Sequence, residues 1–205
     1  MKILHIDCSP RAESHSRKLS AAIVARLLLI NPDASVARRD LGRKPIPHTE
    51  SHYAAALSSP VALAIGFSNG AMRLSEQLIQ EVEAADVLVI GTPMNNFTVP
   101  SVLKAWIDQI LRIGRTFSSS PTGKTGLLQD RPVFIGIASG GVFAGDRANQ
   151  PDFLTPYMTA ALNCVGLNML HFLPLQATAF LDHVRLAAAQ DALLATIDVE
   201  KMAAT

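Results

Sequence analysis

Cysteine is scarce in this 205-residue chain: only Cys8 and Cys164 occur, far apart and in no CxxC pair. A disulfide framework is therefore not expected, and such usage suits a reducing cytoplasm. Each reads as a small core residue rather than a reactive thiol. The six histidines fall in no HExxH or other zinc-ligand spacing, so they read as solvated or structural and no metal site is expected. Long apolar runs are missing too, and no segment is fit to span a bilayer. The opening MKILHIDCSPR carries Lys2 but has no signal-peptide apolar region ahead of Asp7. Nor is there an excess of charge. Charged residues are 17% of the chain and the formal net charge is +1. That balance gives no electrostatic reason to expect nucleic acid or an anionic membrane surface as a partner.

Several catalytic signatures are also missing. There is no GxxxxGK[ST] loop and no GxGxxG after the first strand, which counts against a nucleoside triphosphatase and against the dinucleotide Rossmann fingerprint. No GxSxG elbow supports a hydrolase.

What is present is apolar. Hydrophobic residues make up 49% of the chain and the mean hydropathy is +0.25, which suits a large core or a buried subunit interface. The length is most simply one domain, residues 1–205.

KILHIDC, residues 2–8, reads as a buried strand that ends at Ser9-Pro10. A helix runs from Ser16, with Leu19, Ile23, Leu27 and Ile30 on one face, until Asn31-Pro32-Asp33 stops it. Residues 35–40 make a second strand with partial alternation. Residues 42–70, with Pro45, Pro47, Pro60 and Gly66, read as a loop-rich insert with short helical pieces. A helix over 71–84 turns Met72, Leu78 and Val82 inward. ADVLVIGT then forms a β-rich run without alternation, as central parallel strands do when both faces are buried. The next helix covers 99–113, with Trp106 on its apolar side and Gly114 at its end. PVFIGIA, 132–138, is a fourth strand, 152–165 a helix, MLHFLPLQA a fifth strand, and 182–202 a closing helix.

This alternation predicts a doubly wound α/β fold, a five-stranded parallel sheet with helices on both faces. In such sheets ligands bind outside the carboxyl ends of the strands, where strand order reverses. Three loops are expected there: Ser9 to Ser16, Thr92 to Pro100, and Ser139 to Phe143. In the first, Ser14 and Ser16 flank a helix start, a place suited to a phosphate. An ordinary serine N-cap would explain Ser14 as well. In the third, Gly140 and Gly141 allow close backbone approach by a flat ligand, or simply make a tight turn.

TPMNNFTVPSVLKAWIDQI, from Thr92, resembles the signature of the FMN-dependent NADH-azoreductases, a quinone-reductase family with a flavodoxin-like fold. The family pattern is P-M-Y-N-F-x-V-P-x-x-L-K-x-W-I-D. Ser9-Pro10-Arg11 and Ser14-His15-Ser16 resemble its phosphate loop, while Gly114 to Phe117 and Gly126 to Leu128 resemble further landmarks. The likeness runs from the first strand to at least Gly141.

The resemblance implies a flavodoxin-like fold and bound FMN, with Ser9, Ser14, His15 and Ser16 at the phosphate. It implies Pro93, Met94, Asn95, Asn96 and Phe97 along the ring, and Ser139, Gly140 and Gly141 opposite. It further implies NADH or NADPH as co-substrate, quinone or azo acceptors, a ping-pong cycle through one shared pocket, and a homodimer with the flavin near the subunit interface. Amide donors at Asn96 and Gly141 would support charge on the reduced ring, and no side-chain acid or base is expected. Two positions depart from the family pattern. Asn95 stands where tyrosine is usual, and Ala138-Ser139 stands where the family has Ser-Arg before the glycine pair. The first removes a ring from the cofactor wall, and the second bears on substrate preference. Two alternatives stay open: a general flavin reductase or FMN electron carrier, and, from another class, a phospho-accepting receiver-like signalling module. The receiver would need clustered acids after strand one and an aspartate ending strand three, where only Asp7 and Thr92-Pro93 stand.

Overall fold

The computed structural model describes residues 1–59, 61–62 and 70–197. Three strands form the middle of the sheet: β1 (Lys2–Asp7), β3 (Val87–Pro93) and β6 (Val133–Ala138), each an apolar run buried along nearly all of its length. Their residues meet in parallel register, Ile6 beside Ile90 and Ile90 beside Ile135. The edges are β2 (Ser35–Asp40) and β7 (Leu170–Leu175), whose less buried patterns reflect one free side. The order β2-β1-β3-β6-β7 is all parallel and reverses direction between β1 and β3. This is the arrangement expected of a flavodoxin-like fold.

Because strand side chains alternate, the sheet has two cores. On one face Leu4, Ile6, Ile90 and Ile135 pack with α3 (Arg73–Glu83), α4 (Ser101–Ile110) and α5 (Leu154–Val165). On the other, Ile3, Val89 and Phe134 pack with Leu19, Ile23 and Leu27 of α1 (His15–Ile30) and with partly buried residues of α6 (His183–Ala195). A Cβ at Gly91 would lie 2.4 Å from Ser20 Oγ and 2.8 Å from the Ser16 carbonyl. Glycine in β3 therefore lets the first turns of α1 lie directly on the strand.

The expected elements are present, with shifted ends. The 99–113 helix stops at Ile110. Leu111 leaves the helix with ψ 83°, and the Thr116 hydroxyl takes over the ladder, donating to the Ile110 carbonyl at 2.6 Å and accepting from the Arg112 amide at 2.9 Å. Gly114, with φ 75°, belongs to the turn that follows rather than to the helix end. Helix α5 starts two residues later than expected, because Asp152 caps it by accepting from the Leu154 and Thr155 amides. Among the described residues of the insert, α2 (Ser51–Ala56) is a short helix and residues 61–62 are also helical. The insert's residues 60 and 63–69 lie outside the described residues, and the expected 182–202 helix ends at Ala195, with 198–202 outside them. An antiparallel hairpin, β4 (Phe117–Ser120) with β5 (Gly123–Gly126), was not expected at all. Its strands are four residues long and mostly polar, so no alternation marks them.

Candidate functional site

The loops that follow β1, β3 and β6 lie side by side, since these strands are neighbours in the sheet. They occupy the carboxyl edge at the reversal of strand order.

The first loop ends at α1. Ser14 is the N-cap residue, yet its hydroxyl makes no cap bond. It lies 2.9 Å from the Ser16 hydroxyl instead. The plain N-cap explanation is thus not what Ser14 does. Both side chains are buried, Ser16 completely. The amides of His15, Ser16 and Arg17 sit in the first turn, where no intrahelical acceptor exists. Paired hydroxyls, unused N–H groups and the positive end of the helix dipole meet at one point, a set of donors suited to a phosphate. Burial, followed by the charges of Lys18 and Arg11, lowers the His15 pKa. Ser9, buried just after β1, accepts the Arg11 amide on its hydroxyl at 3.3 Å.

Below this loop is a buried charge cluster. Burial alone would raise the Asp7 carboxyl, but hydrogen bonding and charge from His5, with hydrogen bonds from Arg38 and Ser20, outweigh it and hold the pKa at about 2. Asp7 is 1% exposed and fully engaged. It is no phospho-acceptor, and the receiver alternative loses its only acid. Cys8 is buried beside it, and burial pushes its thiol pKa far up, which suits the core role expected of it.

The second loop is a miniature hairpin. Asn95 and Thr98 exchange both backbone hydrogen bonds at 3.0 Å, and Asn96 and Phe97 turn the chain with φ of 48° and 71°. Two positive values in succession mark the tight turn of two-residue hairpins, which asparagine tolerates and phenylalanine rarely does. Strain at such a place is a feature of functional sites. Among the described residues nothing bonds to the amides of Asn96 and Phe97. Asn95, Asn96 and Phe97 are exposed, whereas Pro93 and Met94 are partly covered. The cap of α4 is Pro100, so neither asparagine is a helix cap.

The third loop is tied to the turn after β7. The Ser139 amide donates to the Leu175 carbonyl, Ser139 accepts from the Thr178 amide, and Gly141 accepts from the Ala177 amide, all at 3.0 Å. The Phe143 and Ala144 amides donate to Gln176 Oε1 at 2.7 and 2.8 Å. A residue larger than glycine at 141 would put its Cβ 2.5 Å from Gln150 Oε1. Gly140 and Gly141 do not have positive φ, so turn geometry does not require glycine at either position.

Sequence reasoning missed the residues that join these loops. Gln150 Nε2 reaches both Ser139 Oγ, at 2.9 Å, and Met94 Sδ, at 3.2 Å. Arg17 ties the first loop to Asp40 at the end of β2. Arg17 stands next to Ser16, which could have marked it; nothing in the sequence around Gln150 does. Among the described residues no group of His, Cys, Asp or Glu could hold a metal, and no helix is long and apolar enough to cross a membrane.

A family model described as a flavodoxin-like fold matches residues 1–197. An FMN-dependent NADH:quinone oxidoreductase of Pseudomonas fluorescens is 45% identical over 202 residues, which cover 98% of this chain and 92% of that protein. One of Burkholderia lata is also 45% identical, covering 94% of this chain and 95% of its own. Among solved structures, an FMN-dependent NADH-azoreductase of Bacillus anthracis in complex with FMN superposes with a TM-score of 0.79 at 24% identity, over 99% of this chain and 100% of that one. At that identity the likeness speaks for the fold.

Proposed function

Given that this chain belongs to the family of FMN-dependent NADH:quinone oxidoreductases with a flavodoxin-like fold, we propose that it binds FMN across the three loops and uses NADH to reduce quinones and azo compounds. One observation carries the placement. The paired Ser14 and Ser16 hydroxyls, on a helix start with unused amides, stand at the same sheet edge as a strained hairpin whose Asn96 and Phe97 amides have no partner among the described residues. The first suits a phosphate and the second the polar rim of a flat ring, so the residues present fit FMN.

Bound FMN supplies the chemistry, accepting a hydride from the nicotinamide and passing two electrons to an acceptor. The protein's part is to bind and orient. Ser9, Ser14, His15 and Ser16 hold the phosphate end. Pro93 and Met94 with the Asn95–Phe97 turn form one wall, while Ser139, Gly140 and Gly141 form the other, with the glycines admitting a flat ligand closely. The amides of Asn96 and Gly141 stabilise negative charge that develops beside them. No side-chain acid or base is assigned. A quinone takes one NADH and one proton to the hydroquinone, and full cleavage of an azo bond to two amines takes two of each.

NADH is proposed as the better co-substrate, with NADPH as a competitor to be measured. A homodimer is proposed as the working unit. Phe97 and Phe153, 44% and 60% exposed, are linked by the Phe153 amide to the Phe97 carbonyl beside the site, a surface that suits a second copy. A cytoplasmic location is proposed from the two unpaired cysteines. The deciding experiment is reconstitution of purified protein with FMN, followed by steady-state kinetics over NADH and a quinone. Parallel double-reciprocal lines are expected. Failure of the loaded protein to oxidise either nicotinamide would end this reading.

A further inference from the structure

Arg17, in the first turn of α1, is a full positive charge engaged by two carboxylates, Asp7 and Asp40. Arg17 is 9% exposed. Its Nε donates to the Ser9 carbonyl at 2.7 Å. Its Nη1 and Nη2 donate to the two oxygens of Asp40 at 2.9 and 2.5 Å, a bidentate fork. Nη1 also lies 3.3 Å from Asp7 Oδ2, whose same oxygen accepts from Arg38 at 2.8 Å. The carboxylates thus hold the guanidinium on the inner side of the loop. The hydrogen bond from Arg17 is the main cause that lowers the Asp40 pKa.

The peptide that Arg17 grips is also held from behind. A Cβ at Gly42 would fall 2.1 Å from the Ser9 carbonyl oxygen, so the chain after β2 presses on that group. The Gly42 amide donates to the Asp7 carbonyl at 3.1 Å. Ser9 begins the loop whose far end is the Ser14–Ser16 pair. A planar fork with fixed donor directions transmits the position of β2 to that loop in a way a point charge does not.

We propose that Arg17 is a positioning residue, whose pairing with Asp40 sets the Ser9–Ser16 loop for a phosphate-bearing ligand without touching the phosphate. This inference rests on the reading of that loop as the phosphate end of the FMN site. It has an unusual sign. By charge alone, neutralising Asp40 near an anion site should tighten phosphate binding, and a released Arg17 would add a cation. If Asp40 works by holding Arg17, the same change loosens the loop and weakens binding.

The test titrates wild-type apoprotein, Asp40→Asn and Arg17→Lys with FMN and with riboflavin, following flavin fluorescence. Each variant is expected to bind FMN about tenfold more weakly, the loss of one charge-assisted hydrogen bond, and riboflavin within about twofold of wild type. The double variant should be little worse than either single one, because both break the same pair. Tighter FMN binding by Asp40→Asn overturns the inference, and so do equal losses for FMN and riboflavin. Should Asp40→Asn fail to fold, Arg17→Lys carries the test alone: lysine cannot span both Asp40 oxygens and the Ser9 carbonyl, so wild-type FMN affinity there overturns it. A wild-type protein with no preference for FMN over riboflavin overturns the site reading, and this inference with it.

Discussion

Gln150 donates its side-chain amide to the Ser139 hydroxyl across 2.9 Å, and the same nitrogen lies 3.2 Å from Met94 Sδ. One side chain therefore joins the loop after β3 to the loop after β6, the two expected to face the flavin ring. Gln150→Leu keeps the size and removes the donor. It should cost about 1 kcal/mol of stability, and it should weaken FMN and riboflavin alike by several-fold, because the loops it joins are proposed to bear on the ring rather than the phosphate. Thermal unfolding with parallel flavin titrations measures both effects. Unchanged flavin affinity would show that the bridge has no part in the site.

Ser16→Ala should instead discriminate between the two flavins. Its hydroxyl is fully buried and paired with Ser14 at the helix start. With the FMN phosphate proposed to bind there, loss of that hydroxyl should remove a charge-assisted hydrogen bond worth about 1.5–3 kcal/mol and weaken FMN binding tenfold or more. Riboflavin, with no phosphate, should hardly respond. Equal losses would mean that the phosphate lies elsewhere.

Asn95 is exposed on the stem of the hairpin turn, and among the described residues only its backbone is engaged, in the two hydrogen bonds with Thr98. Asn95→Tyr can therefore leave the turn intact while adding a ring, worth about 0.5–1.5 kcal/mol in stacking. Affinity for flat aromatic acceptors should rise several-fold, with less effect on reduction of the flavin by the nicotinamide. Stopped-flow measurement of the two half-reactions separates these. A variant altered in neither acceptor affinity nor the oxidative half-reaction places Asn95 away from the acceptor.

Asp7 should govern part of the acid sensitivity. Its pKa is depressed in the folded state, from 3.8 to about 2. The stability it contributes is therefore full above pH 3.8 and is lost as the pH falls through about 2. The size is on the order of 2 kcal/mol. Asp7→Asn should be less stable than wild type near pH 7, with a shallower loss of stability between those two values; Asp40, Glu76 and Glu83, also depressed, would supply the remainder. Denaturant unfolding at a series of pH values reads this directly, and superimposable acid limbs would contradict it.

How much of this was legible beforehand depends on the range of the interaction concerned. Strands β1, β3 and β6 and the inward face of α4 could be read from the chain, because burial on two faces or one imposes a local pattern of apolar residues. The Met94–Phe97 stretch stood out by its residue types, and so did the serines at the start of α1. The β4–β5 hairpin did not, since short polar strands have no such pattern. Nor could the early end of α4 be read, because a threonine hydroxyl five residues beyond Leu111 captures its last turn.

The residues that set the site are further still from local reading. Arg17 and Asp40 are 23 positions apart, and Gln150 and Met94 are 56 apart. They meet because parallel register brings the ends of β1, β2, β3 and β6 to one edge, and because Gly91 lets α1 settle on the sheet there. By itself the sequence determined which segments form the five-stranded sheet and the helices beside it and which loops carry the polar groups, since both follow from periodicity and residue chemistry within a few positions. Only the tertiary structure decided which side chains hold those loops against one another, because a hydrogen bond forms between neighbours in space, and here strand order makes the neighbours.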